Sequence, residues 1–128
     1  MLNLNHNNLQ NEHAYVLADM LKDSSLKMLF IAWNKIRDKG AMKIFEALAE
    51  NTTLQVFDGS FNSFSSNSIS ALRHRKQLDH ESSSDSEDDK ISHVYDSCES
   101  AKALSKMFVK NTSLIHIDLS HNNFSSDD

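Results

Sequence analysis

The single cysteine of this chain is the first candidate for chemistry, because a thiolate beside a base is a strong nucleophile. The histidine nearest to Cys98 in the sequence is His93, five residues before it. A reactive thiol needs an adjacent base or a lowered pKa, and this spacing favours an ordinary surface thiol. A lone cysteine also has no partner for an internal disulfide, which indicates a reducing, intracellular compartment.

Other residue types that could do chemistry are present without the spacing that chemistry needs. The seven histidines are scattered, and none is paired with cysteine or carboxylates at the spacing of a metal site. Gly40 and Gly59 are isolated, so the sequence has no phosphate-binding glycine loop. We therefore expect no catalytic residues, no metal, no cofactor and no enzyme activity.

Charge and hydropathy exclude two further classes of partner. The short basic run at 73–76 could suggest nucleic-acid binding, but an acidic run follows at 79–89 and mutual neutralisation is the simpler account. No stretch approaches the roughly 18 consecutive apolar residues of a membrane span. The expected partners are therefore proteins, with neither nucleic acid nor membrane.

A recurring frame of apolar residues ending in asparagine carries more information. The frame L-x-x-L-x-L-x-x-N-x-L predicts a short strand with one set of side chains facing inward, followed by a turn. A buried asparagine amide can donate and accept hydrogen bonds at once, which predicts a ladder along the stacked turns. The frame occurs at 26–36, is cut short at the start of the chain, and recurs twice more; its asparagines are Asn7, Asn34, Asn62 and Asn122.

Between these frames, apolar residues recur at helical spacing. The three predicted helical stripes are Ala14, Leu17, Ala18 and Leu21; Ala41, Ile44, Phe45 and Leu48; and Ala101, Leu104 and Phe108. Each helix is followed by Asn or Asp and a Ser/Thr pair, as in 50–54 and 110–114. These residues favour a left-handed turn at the end of the helix.

This alternation of strand and helix resembles the leucine-rich repeat. Leu26 and Leu54 are about 28 residues apart, as are Asn34 and Asn62, and that period resembles the ribonuclease-inhibitor-like subfamily. The resemblance implies an α/β solenoid, a curved right-handed horseshoe segment with a parallel inner sheet and outer helices. Both ends lack a recognisable cap, so we interpret the chain as a fragment continuous with further repeats.

One segment interrupts the repeats. Leu54 and Leu114 hold the same position in consecutive frames, yet they are farther apart than two repeat periods. The predicted organisation is repeats in 1–66, an acidic insertion in 67–99, and a helix with the last strand in 100–128. The run 79–89 holds six acidic and no basic residues, a composition that predicts disorder. Its Ser82, Ser84 and Ser86 each precede an acidic residue by three positions, which resembles the sites of acidophilic kinases.

The strand residues facing away from the core predict a binding surface on the concave face. The candidate partner-binding residues are Phe30, Trp33, Asp58, Phe61, Asp118 and His121. Exposed aromatic side chains on a rigid surface often anchor interfaces. The alternative is that the bulky residues before each frame asparagine, including His6, only pack on one another along the stack.

The pattern favours an intracellular protein-interaction module, a scaffold that binds a protein on its concave face. We expect it in the cytoplasm, with cilium and nucleus left open. One alternative is a fragment of a GTPase-activating regulator, since Ran GTPase-activating proteins resemble this repeat, although their acidic stretch follows the repeats. The other is a structural component of a cytoskeletal or ciliary assembly.

Overall fold

In the part of the chain that the structure describes, three helices and four short strands alternate. The computed structural model describes residues 1–65 and 98–124. The acidic run 79–89, the basic run 73–76 and the three candidate kinase sites Ser82, Ser84 and Ser86 lie outside these residues. In chain order the elements are β1 (Leu2–Asn3), α1 (Asn11–Lys22), β2 (Met28–Phe30), α2 (Asp38–Glu50), β3 (Val56–Asp58), α3 (Glu99–Lys110) and β4 (His116–Asp118).

The four strands form one parallel sheet whose order in space is their order in the sequence. Leu29 pairs with Leu2 on one side and with Phe57 on the other, and Phe57 pairs in turn with Ile117. Parallel neighbours need a crossover connection, and each connection here contains one of the helices. The predicted α/β leucine-rich solenoid, with a parallel sheet and outer helices, is confirmed.

The core lies between the sheet and the helices. The alternation predicted for the strands places Leu29, Ile31 and Phe57 fully inside it. The predicted stripes of α1 and α2 are also buried throughout. Phe64 meets Phe45 edge to face, with ring centroids 5.7 Å apart and an interplanar angle of 88°, an arrangement that aromatic pairs prefer.

The residues that α3 buries differ from the predicted stripe of Ala101, Leu104 and Phe108. The buried residues of this helix are Ser100, Ala103 and Met107, whereas Phe108 is 58 % exposed. In the repeat, Phe108 of α3 corresponds to Leu48 of α2. Leu48 is fully buried, and α3 packs against the helix that carries it. Within the described residues no further helix packs on the other side of α3, so Phe108 has no equivalent cover.

The helices end differently from the left-handed turn that the sequence suggested. Asn51 and Asn111, the residues that follow α2 and α3, have φ of −72° with ψ of 134° and 132°, which is extended backbone. Asp23, after α1, also has a negative φ of −116°. The reason is that the Asn51 and Asn111 side chains bond to the adjacent repeat, so no left-handed residue is needed to satisfy the helix end.

The two described parts of the chain, 1–65 and 98–124, contact each other through the residues that flank the interruption. The Ser100 hydroxyl donates to the Phe64 carbonyl at 2.8 Å, and the Ser100 N–H donates to Asp38 Oδ1 at 3.0 Å. Cys98 Sγ lies 3.8 Å from Ser65 Oγ. Helix α3 begins at Glu99, one residue before the predicted boundary, because the buried Asp38 carboxylate binds the first turn of the helix.

Candidate interaction face

The outward side of the parallel sheet is the candidate site, and we call it the sheet face. Its side chains alternate with the buried ones along each strand, and the strand register stacks them in rows across the repeats. The frame then continues into the turns with the same stacking. The four rows are Met28, Val56 and His116; Asn3, Phe30, Asp58 and Asp118; Asn5, Ala32, Ser60 and Ser120; and His6, Trp33, Phe61 and His121.

The last of these rows is an aromatic column. The ring centroids of His6 and Trp33 are 5.5 Å apart, those of Trp33 and Phe61 are 4.0 Å apart, and those of Phe61 and His121 are 4.0 Å apart. The interplanar angles are 14°, 8° and 17°, so all four rings are stacked. The stacking that the sequence left as an alternative does occur, yet Trp33 keeps 52 % of its surface exposed.

The backbone of the column is in a conformation that large side chains rarely adopt. His6, Trp33, Phe61 and His121 have φ between 52° and 59°, in the left-handed region that costs an L-residue roughly 1–2 kcal/mol. Parallel pairing persists through these residues, since Trp33 N–H donates to the Ser60 carbonyl at 3.1 Å and Phe61 N–H to the Ser120 carbonyl at 3.0 Å. The inter-repeat bonds and ring stacking together hold the column in place.

The other predicted face residues differ in accessibility. Phe30 and Phe61 are half-buried, not freely exposed, and Phe61 stacks between Trp33 and His121. Ala32 and Ser60, in the third row of the same face, are only 3 % and 5 % exposed. Their side chains are short and lie between rows of larger ones, so neighbouring groups cover them.

Asp58 and Asp118 stand side by side in the second row. Asp58 Oδ1 accepts bonds from the Ser60 N–H at 3.0 Å and the Ser60 hydroxyl at 2.7 Å, and Asp118 Oδ1 accepts from the Ser120 N–H at 2.9 Å. Hydrogen bonds from the Ser120 backbone and side chain hold the pKa of Asp118 below its usual value, with His116 and His121 adding smaller effects in the same direction. This carboxylate is therefore ionised at neutral pH.

Behind the face, the frame asparagines bridge consecutive repeats. The Asn62 amide donates to the carbonyls of Ile31, Gly59 and Ser60, and its oxygen accepts from the Ile36 N–H at 3.1 Å. Asn34 and Asn122 make equivalent bonds, and all three are buried. Asn7, in the first frame, is exposed, and its amide donates to Asn5 O.

A second set of amides that bridge repeats lies at the helix exits, where Asn51 is buried and Asn111 is half-buried. Their role was not predicted from the sequence. Asn51 Nδ2 donates to the Leu21 carbonyl at 2.7 Å, while Asn51 Oδ1 accepts from the Leu54 N–H at 2.8 Å. Asn111 repeats both bonds one unit later, on Leu48 and Leu114. The near-identical exits noted in the sequence were the signal, because a constant Asn at a fixed offset indicates a constant bond.

Cys98, expected to be an ordinary surface thiol, is half-buried, and His93 lies outside the described residues. Its Sγ lies 3.2 Å from Ser100 Oγ and 3.4 Å from Asp38 Oδ1. Burial, the largest effect, raises the pKa of the Cys98 thiol. Among residues 1–65 and 98–124, no cluster of three histidine, cysteine or acidic side chains could hold a metal ion, and no helix is long and apolar enough to cross a membrane.

Comparison with known proteins identifies the repeat. A sequence model described as "Leucine Rich repeat" matches residues 22–45 and 110–128, while no curated protein matches the chain. A solved structure of leiomodin-1 actin-binding site 2 is similar over 91 % of this chain and 50 % of that one, with a TM-score of 0.56 and 20 % identity. The chain therefore spans about half the length of the structure it matches. By its parallel sheet, its asparagine-bridged turns and these similarities, it has the fold of a leucine-rich repeat protein.

Proposed function

We propose that this chain is a protein-interaction module, without enzyme activity, that binds its partner on the sheet face. The observation that carries the proposal is the aromatic column, defined as His6, Trp33, Phe61 and His121. Its rings are stacked on a backbone of left-handed residues, and its tryptophan is half exposed. Left-handed residues with large side chains cluster at binding sites, and tryptophan is over-represented among the residues that dominate interfaces.

The proposed interface comprises the candidate residues of the sequence pattern. It extends from Phe30 and Trp33 to Phe61 and His121, with Asp58 and Asp118 between them. The solenoid supplies a rigid support, because each strand is bonded to the next and each turn is bridged by a buried amide. A preorganised surface loses little conformational entropy on binding.

Two finer features of the family belong to the same proposal. The repeat period and the 12- to 13-residue outer helices favour the ribonuclease-inhibitor-like type of repeat. We place the protein inside the cell, in the cytoplasm, because its single cysteine has no partner for an internal disulfide. We also propose that Ser82, Ser84 and Ser86 are sites of acidophilic kinases.

The similarity to leiomodin-1 actin-binding site 2 favours one second candidate, a component of a cytoskeletal assembly. At 20 % identity this similarity concerns the fold, so actin enters as the first defined partner to test. Actin binding would use the same face and would therefore name the partner without changing the proposed site.

The proposal is tested by placing a photoreactive phenylalanine analogue at Trp33 and, as a matched control, at Val109. Val109 is 88 % exposed on helix α3, away from the sheet face. Cross-linking is carried out with purified actin and, in parallel, inside cells. A protein captured from position 33 and not from position 109 is the expected result. Equal capture from both positions, or capture from position 109 alone, would contradict binding by the sheet face.

A further inference from the structure

The sheet face has an unequal distribution of charge and apolar surface. Its β1–β2 half presents Met28, Phe30 and Trp33, which are uncharged, and its β3–β4 half presents the adjacent carboxylates of Asp58 and Asp118. No lysine or arginine occupies any of the four rows in the part of the chain that the structure describes. The described residues nevertheless contain nine lysines and arginines in total and nine acidic residues, so their formal charges balance. The negative charge is therefore concentrated on the sheet face and is not a property of the described residues as a whole.

The two carboxylates are held close together. Asp58 and Asp118 are register partners on neighbouring parallel strands, which lie about 4.8 Å apart. Like charges directly opposite each other across strands repel. Each keeps one oxygen, Oδ1, bonded to the serine two residues later, so neither side chain is free to turn away and separate the charges.

Among the described residues, neither carboxylate forms an ion pair with a lysine or arginine. The ion pairs in the described residues are His13–Glu12, Lys22–Asp19, Lys43–Glu46 and Lys110–Glu50, all on the helices. The titratable groups beside Asp118 are His116 and His121, and Asp118 is ionised at neutral pH for the reasons given above. Within residues 1–65 and 98–124, the two adjacent carboxylates beside the aromatic column therefore have no lysine or arginine partner.

Resting on the proposed function, we propose that the partner presents a basic segment to the sheet face. A lysine or arginine of that segment lies between the Asp58 and Asp118 carboxylates, and an apolar side chain of the same segment lies over Phe30 and Trp33. Charge complementarity selects this occupant, since an acidic segment or a phosphate backbone would be repelled by the same two carboxylates. The gradient from apolar to acidic across the strands also fixes the direction in which the segment lies.

The chain carries its own reporter for this inference, because Trp33 is the single tryptophan among its 128 residues. The probe is a capped peptide of alternating leucine and lysine, titrated while Trp33 fluorescence is followed. The comparison peptide alternates leucine and glutamate. We expect the lysine peptide alone to change the emission, with an affinity that falls as salt is added.

The decisive variant replaces both carboxylates, as Asp58→Asn with Asp118→Asn. An asparagine oxygen can still accept the bonds from Ser60 and Ser120, so the fold is retained while both charges are removed. The matched control, Glu12→Gln with Asp19→Asn, removes two charges from helix α1. We expect the face variant to weaken binding of the lysine peptide by at least about tenfold and the helix variant to leave it unchanged.

Three results would overturn the inference: no response to the lysine peptide, equal responses to both peptides, or equal affinities of the face variant and the wild-type protein. These failures are distinguishable from failure of the proposed function. If a partner protein cross-links through position 33 but binds the face variant as tightly as it binds the wild-type protein, the sheet face remains the interface and the basic segment is excluded.

Discussion

The indole of Trp33 stacks on the ring of Phe61 at a centroid distance of 4.0 Å, with 8° between the planes, although both residues have a left-handed backbone. The two rings belong to consecutive repeats, in which they hold the same position before the frame asparagine. A conformation that is unfavourable for each residue alone therefore recurs because the stacked repeats supply ring contacts and backbone bonds across their boundary.

This relationship separates the stability of the column from its role in binding. Trp33→Gly relieves the cost of the left-handed backbone, whereas Trp33→Ala retains it, so the glycine variant should be more stable by roughly 1 kcal/mol. Both variants lack any aromatic ring at position 33, unlike the photoreactive phenylalanine analogue, and should lose partner binding to the same extent. Urea denaturation compares the stabilities of the two variants. Cross-linking from a photoreactive analogue at position 121 compares their partner binding. A glycine variant less stable than the alanine variant would show that backbone strain is not the governing term.

The buried frame amides predict a position-dependent loss of stability. Asn62→Ala leaves the Ile36 N–H without its amide acceptor and the Ile31 carbonyl with the Asn34 amide alone, which should cost roughly 1–3 kcal/mol. Asn7→Ala is the matched control, because Asn7 is exposed and its amide donates to a near neighbour; less than about 0.5 kcal/mol is expected there. Equal losses in urea denaturation at both positions would contradict the bridging role.

Gly59 should tolerate no side chain. A Cβ at this position would lie 2.7 Å from Phe64 Cε2 and 3.0 Å from Phe57 Cε1, and both rings are fully buried. Gly59→Ala should therefore destabilise the protein by roughly 1–3 kcal/mol, the usual cost of overpacking. Adding Phe64→Leu to Gly59→Ala should recover part of this loss, since it removes the clashing atoms. A double variant less stable than the sum of the single changes would contradict the steric explanation.

Cys98 should react slowly with alkylating reagents at neutral pH. Its pKa is raised, chiefly by burial, and the thiolate is the reacting species. The pH profile of alkylation by iodoacetamide should therefore lie at higher pH than that of free cysteine, and unfolding in urea should abolish the difference. A profile at lower pH than that of free cysteine would indicate an activated thiol and would contradict the expectation that Cys98 is not catalytic.

The frame residues made the strands and turns predictable, because their spacing is set by geometry within a single repeat. The alternation that buries Leu29 and Ile31 and the stripes of α1 and α2 needed no knowledge of the neighbours. The exposure of Phe108 was not predictable in this way, since it depends on which element packs beside α3. Nor was the buried Asp38 carboxylate, whose hydrogen bond is to Ser100, 62 residues later.

The same limit applies to the candidate site. The sequence indicated which residues share the sheet face but left open whether its aromatic residues were exposed or stacked. Trp33 is both stacked and exposed, because a flat ring can lie against its neighbours and still present its edge to solvent. Asp58 and Asp118 hold the same position in consecutive frames, so their adjacency was predictable, whereas the hydrogen bonds that hold the two carboxylates required the structure.

The contacts among Asp38, Phe64, Ser65, Cys98 and Ser100 have a consequence for how the protein could be assembled. The two described parts of the chain are joined at this point by their own hydrogen bonds and by continuous packing of α2 against α3. Stability in a stacked repeat depends on neighbouring units, not on an unbroken backbone. The two parts, produced as separate polypeptides, should recognise each other and rebuild the sheet by complementation, so a reporter divided at this point would follow repeat assembly directly.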